Sequence, residues 1–316
     1  MIEIGIQTKG IVPARGIDQG FQMIAEAGFT KVDINIDVFL KNHDIYKGKN
    51  TTGFFDADIN DIALYFQQFN VAMEKYGITP SQAHAPYPVW VPDKPDMSEY
   101  MQATVIPKSI VIASVLHIPW MVIHPAKMQY MLDRSPDRER EYNLEYFKSL
   151  VPLLKEFGVK ICLENLYEGT PDHRQEGTCA NPKEVRYYLD ELNSFAGEEL
   201  FGICLDMGHL QLVHRDPCAY IREVGSALKI LHLHENNGVD DLHHMPFTFG
   251  GAAGEGQHWD EIMKTLAQIG FDGTLSFETF PCMKSFPRSC APQVLKTLYG
   301  IGEYFKSVIE KERIIA

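Results

Sequence analysis

Several common sequence signals are missing from this chain, and each absence removes a class of protein. The six cysteines (Cys162, Cys179, Cys204, Cys218, Cys282 and Cys290) are scattered and form no Cys-x-x-Cys pair. Reduced thiols in a cytoplasmic protein are therefore expected, not a disulfide framework. No apolar run approaches the roughly 20 residues of a membrane span. The opening "MIEIGIQTKG" alternates like a strand and lacks a basic stretch leading into an apolar one, so no signal peptide and no membrane association are expected. Basic residues are outnumbered, 29 against 42 acidic, for a formal charge of −13. That counts against a duplex-DNA partner, whose phosphates need a basic face. Linkers and low-complexity segments are also missing, so residues 1–316 are expected to form one domain.

What remains is 316 residues with 45% hydrophobic content, enough for a large core. Short β-like runs alternate with longer amphipathic segments. The expected strands are 2–7, 31–37, 81–86, 120–125, 160–166, 201–207, 229–235 and 273–279. Helices are expected at 17–28, 59–76, 99–117, 138–157, 182–193, 216–228, 258–269 and 290–311, with caps such as Asn181-Pro182 and Asp216-Pro217. Eight strand–helix units in strict alternation predict an α/β fold, a single (βα)8 TIM barrel. Long loops at 38–58, 88–98, 168–180 and 238–257 suit a decorated catalytic face.

Strand parity carries the functional signal, because side chains alternate faces. Ile161 and Leu163 oppose Cys162 and Glu164; Ile203 and Leu205 oppose Cys204 and Asp206. Leu231 and Leu233 oppose His232 and His234; Leu275 and Phe277 oppose Ser276 and Glu278; Val32 and Ile34 oppose Asp33 and Asn35. One face is apolar and packs on helices, and the other points polar groups into the barrel. Unpaired carboxylates buried there cost several kcal/mol each, about the scale a bound cation relieves. Six consecutive strands end in metal-ligand types: His84, His124, Glu164, Asp206 (with His209 beyond it), His232 (with His234) and Glu278.

The stretches "LEN", "LDMGH", "LHLHENNG" and "FET", in that order, resemble the xylose-isomerase-like barrel superfamily. That group includes sugar isomerases and epimerases, inosose dehydratase-like enzymes and endonuclease IV-type nucleases. The resemblance covers essentially the whole chain. By analogy with the ketose 3-epimerases, it implies one divalent ion (Mn, Mg, Co or Zn) on Glu164, Asp206, His232 and Glu278. Glu164 and Glu278 would also act as acid and base through an enediolate, with a sugar or sugar phosphate as substrate. His84, His124, His209, His234, Asp241 and His243 would touch substrate or brace the ligands, His234 lying nearer the mouth than His232. A cyclitol or keto-acid dehydratase would use the same groups. The endonuclease IV resemblance implies instead three zinc ions, with the extra histidines and the Asp241-x-His243 pair as ligands. A non-catalytic sugar-binding barrel is a third class. The chain departs from the 3-epimerase pattern at Gly238, where those enzymes carry arginine, and at Thr170, where they carry glutamate, with Glu168 nearby. Trp90 and Trp259 are candidates to pack on a sugar ring. The glycine-rich loop 245–256 reads as a lid or as a turn whose backbone N–H groups meet a phosphate, and Lys127, Arg174, Lys284 and Arg288 are candidate anion contacts. A homo-oligomer is compatible with all of this.

Overall fold

A computed structural model describes residues 2–48, 53–128, 135–250 and 256–315. Eight parallel strands form the barrel: β1 (Glu3–Gln7), β2 (Lys31–Asn35), β3 (Thr79–His84), β4 (Trp120–Ile123), β5 (Lys160–Glu164), β6 (Phe201–Asp206), β7 (Leu228–His232) and β8 (Thr274–Phe277). Each strand pairs with its sequence neighbour, and β8 pairs with β1 in the register Ile4↔Leu275 and Ile6↔Phe277. The last seam, between β7 and β8, joins at Leu233. Its N–H donates to Ser276 O at 2.8 Å, and its carbonyl accepts from the Glu278 N–H at 3.1 Å. The molecule is thus the (βα)8 TIM barrel that the alternation predicts.

The parity reading explains both layers. Ile4 faces outward onto the C-terminal helix (Ala291–Ile315), where Gly302 allows close approach: a Cβ there would lie 2.5 Å from Ile4 Cγ2. Inside, Val122, Cys162, Cys204 and Ile230 form a small apolar cluster against Trp120. The free cysteines fill space here, one pleat below the polar residues. Two residues on from each of these the inward side chain is charged or ionisable: His124, just past the end of β4, then Glu164, Asp206 and His232.

Several boundaries differ from expectation. The ladders stop earlier at their C-terminal ends, at Asn35, Ile123 and His232, because the chain there diverges into the long loops. The expected loop 168–180 contains an antiparallel hairpin, Tyr167–Thr170 with His173–Glu176. The expected loop 38–58 holds a short helix, Asn42–Lys47. Among the described residues, no helix is long and apolar enough to cross a membrane.

Helix Ile59–Tyr76 begins where Asp58 accepts a hydrogen bond from the Asn60 N–H at 2.8 Å. Asp58→Ala removes that cap and is expected to cost about 1 kcal/mol. Urea denaturation would read this as a lower midpoint at unchanged slope.

Candidate metal centre and its cavity

The inward residues of β5 to β8 meet at the C-terminal mouth. His232 is fully buried, and its Nδ1 lies 3.2 Å from Glu278, 3.7 Å from Glu164 and 3.9 Å from Asp206. Backbone interactions hold this convergence. The Asn165 side chain bonds both the N–H and the carbonyl of Asp206, at 2.7 and 3.0 Å, locking the end of β5 to the end of β6. Asp206 caps the helix Met207–Leu212 by accepting the His209 N–H at 2.7 Å. The Glu278 amide is the one tied to Leu233 across the seam.

Two further donor groups flank this centre. His84 and His124 bring Nε2 to 3.4 and 3.1 Å from Glu164 Oε2. On the other side, Asp241 lies 3.6 Å from His209 Nε2 and 3.3 Å from His243 Nε2. The loop after β7 is shaped by Asn236, whose side-chain oxygen accepts the N–H groups of Leu242 and His243 and whose amide donates to Asp241. His243 itself holds a left-handed φ of 51°. His234, expected near the mouth, is instead fully buried and lies off the cavity wall. Its Nε2 lies 2.9 and 2.8 Å from the two Asp206 oxygens, and its ring stacks on His243 at 3.9 Å. That placement suits bracing a carboxylate.

The electrostatics show a demand for positive charge. Burial opposes ionisation of Glu164, yet His124, His84 and His232 hold its carboxyl well below the ordinary range. Burial lowers the affinity of His209 for a proton, but Asp206, Asp241 and Glu164 more than offset it and raise the pKa to about 10. His243 likewise rises to about 9 against its burial, driven by Asp241 and Glu278. Protons here balance carboxylates that a metal ion would otherwise balance. Glu164 Oε2 and both ring nitrogens of His232 are buried with no well-aligned hydrogen bond among the described residues. Three carboxylates and an imidazole converging on such atoms fit a divalent cation. In groups of three, candidate ligand atoms lie within 4.8 Å of one another, and these groups include His84–His124–Glu164 and His209–Asp241–His243.

The centre opens into a cavity of about 740 Å³ walled by Tyr87, Trp90, Lys127, Tyr167, Glu168 and the donor groups His84, His124, Glu164, His209, Asp241, His243 and Glu278. Tyr87 stacks on His124 at 4.1 Å, and the Tyr167 hydroxyl donates to Asp241 at 3.3 Å. Neither tyrosine stands out in the sequence, since Tyr87 lies in a loop and Tyr167 in the polar hairpin, both outside the barrel-strand pattern. Trp259, a candidate to pack on a sugar ring, is instead buried against Phe305 at 5.2 Å and lies off this cavity. Glu168 is on the wall, and Thr170 stands beside it on the hairpin. Gly238 has φ 80°, a conformation that disfavours the arginine found in the 3-epimerases. Of the four expected anion contacts, only Lys127 reaches the wall among the described residues. Arg174 braces the carbonyls of Gly169 and Val239, Lys284 lies over Phe280, and Arg288 bonds the Ala14 carbonyl. Of the loop 245–256, residues 251–255 lie outside the described residues.

Burial lowers the pKa of Lys127 from the ordinary lysine value, with Glu168 opposing it. The unfolded chain therefore binds more protons than the native one just above the folded pKa. Stability from this group must rise with pH between that value and the ordinary lysine pKa. Lys127→Met is expected to abolish that rise, read from paired urea titrations of the two proteins as pH is raised toward the ordinary lysine value.

Fold and donor set together define a barrel with a candidate metal centre on its C-terminal face. The chain belongs to the xylose isomerase-like TIM barrel family, whose model matches residues 21–296. Among curated proteins it is similar to the uncharacterized protein MJ1311 of Methanocaldococcus jannaschii, 26% identical over 199 residues. That match covers 61% of this chain and 60% of the relative. The uncharacterized protein y4fM of Sinorhizobium fredii is 30% identical over 101 residues, covering 32% of this chain and 30% of that protein. Among solved structures, a D-tagatose 3-epimerase-like protein superposes with TM-score 0.68 at 17% identity, covering 98% of this chain and 99% of the other. The 3-keto-D-glucoside 4-epimerase YcjR of E. coli gives 0.68 at 15% identity over 95% of this chain and 100% of its own. An L-ribulose 3-epimerase gives 0.68 at 14% identity over 100% and 98%.

Proposed function

We propose that this chain is a divalent-metal-dependent isomerase or epimerase of a sugar or sugar phosphate, working as one barrel domain over residues 1–316. The observation that carries the reading is the placement of Glu164 and Glu278. Both stand on the wall of one small-molecule-sized cavity, and both approach the same ring nitrogen, Nδ1, of His232. Glu164, Asp206, His232 and Glu278 would hold the ion. Bound there, it would supply Lewis acidity toward a sugar carbonyl and its neighbouring hydroxyl. One glutamate takes the proton from the carbon beside the carbonyl. Return of a proton from the other, on the opposite face, inverts that carbon; return to the adjacent carbon isomerises the sugar. His209 and Lys127 hold substrate hydroxyls, while Trp90 and Tyr87 cover the apolar face of the ring. The sugar epimerases of similar fold support this choice of chemistry. The test is C–H exchange in D2O across a panel of ketoses, aldoses and their phosphates. Exchange on some member of the panel supports the reading, and none on any, with metal bound, defeats it.

A second reading, a multi-zinc phosphodiesterase of the endonuclease IV kind, is favoured by one observation. His84–His124–Glu164 and His209–Asp241–His243 form separate donor groups beside the central one. Metal analysis separates the two: one ion per chain supports the sugar enzyme, whereas three zinc ions with cleavage of abasic-site DNA would favour the nuclease.

A further inference from the structure

We propose that Asp33 is a positioning residue that orients the ring of His232, so that Nδ1 faces the carboxylates and Nε2 carries the proton. The inference rests on the reading that His232 is a metal ligand. The parity of β2 turns Asp33 inward, and the barrel brings its Oδ2 to 3.4 Å from His232 Nε2. Both residues are buried, at 1% and 0% exposure, so this contact is made without competing water. Gln82, from β3, donates to the same Asp33 oxygen at 3.0 Å and fixes the carboxylate. Oδ1 of Asp33 has no hydrogen bond among the described residues. A buried carboxylate of this kind is costly where Val, Ile or Leu would ordinarily fill a barrel.

The arrangement makes chemical sense through the imidazole. The Asp33 oxygen is the carboxylate on the Nε2 side, near enough to favour a proton there though not aligned as a full hydrogen bond, and a proton on Nε2 leaves a lone pair on Nδ1. That lone pair faces oxygens of Glu278, Glu164 and Asp206 at 3.2, 3.7 and 3.9 Å. A lone pair aimed at three carboxylates is repulsive unless a cation lies among them. Asp33 therefore selects the tautomer that a metal ion needs, as a carboxylate behind a ligating histidine generally does. Asp33 lies far from all four candidate ligands in sequence, and its partner His232 sits five strands further along the barrel.

The test uses the full-length protein with zinc as the probe. Competition against a chromophoric chelator measures affinity, and nitrogen-15 NMR of the histidine rings reads the tautomer, with His232 assigned through His232→Asn. Asp33→Ala is expected to weaken zinc binding about 10–100-fold and to lose the slowly exchanging Nε2 proton of His232. Asp33→Asn keeps an acceptor at that place, so it is expected to keep the tautomer and to lose less affinity. If the alanine variant does not fold, Asp33→Ser, too short to reach the ring, takes its place. Wild-type affinity and tautomer in the alanine or serine variant, with zinc binding lost in His232→Asn, would overturn the role of Asp33 alone. Undiminished zinc binding in His232→Asn would overturn the ligand reading beneath it.

Discussion

Glu164→Gln and Glu278→Gln are each expected to lower substrate-dependent C–H exchange by about 10²–10⁴-fold. Glutamine keeps the volume and most of the hydrogen bonding of glutamate and removes the ability to take up a proton. Both carboxylates stand on the cavity wall, whereas Asp206, His232 and His234 lie off it. The reacting carbon can therefore reach the two glutamates but not the residues beneath them. Because the same glutamates are candidate ligands, metal content must be measured on each variant. A variant that keeps its metal and loses exchange assigns proton transfer to that carboxylate. Exchange retained in both variants would refute the two-carboxylate mechanism.

Gly208→Ala is expected to lower stability by about 1–3 kcal/mol and to weaken metal binding in the same protein. Gly208 needs its place for space alone, since its backbone is ordinary helix. A Cβ there would stand 2.0 Å from His234 Cε1 and 2.5 Å from the Asn236 amide nitrogen. The His234 ring has no room to retreat: one edge meets both Asp206 oxygens and one face lies on His243. The added methyl must push the ring off Asp206 or displace Asn236 and the loop it shapes. Urea unfolding and zinc titration together check this. Wild-type values in both would show that the ring yields without loss.

The parity of the strands made much of this legible. Alternation in "KICLENL" and "FGICLDM" separates outward leucines and isoleucines from inward cysteines and acids, and the barrel keeps that division. What a period of two cannot say is how far along the strand a ladder continues. His232 and His234 share a face by parity, yet β7 ends between them. Beyond that point the chain is held by loop contacts, and His234 turns under Asp206. The hairpin at 167–176 was hidden for a related reason: its alternation is polar on both faces, with no apolar stripe to mark it. Asp33 was visible as an inward acid, but its partner lies on a distant strand, and contact across a barrel leaves no local pattern. Tyr87 and Lys127 follow the ends of their strands, where side-chain direction depends on the loop. Trp259 is a reminder that a tryptophan at a helix start serves equally well as core, and here Phe305 supplies the stacking partner.

The seam at Leu233 has a mechanical consequence. Strands β7 and β8 meet through one residue, and the neighbours of that junction are His232 on one side and Glu278 on the other. The cylinder is fastened most lightly where two of its candidate ligands stand face to face. An ion gripped by both would act as a rivet across that joint, coupling occupancy of the centre to the rigidity of the whole ring.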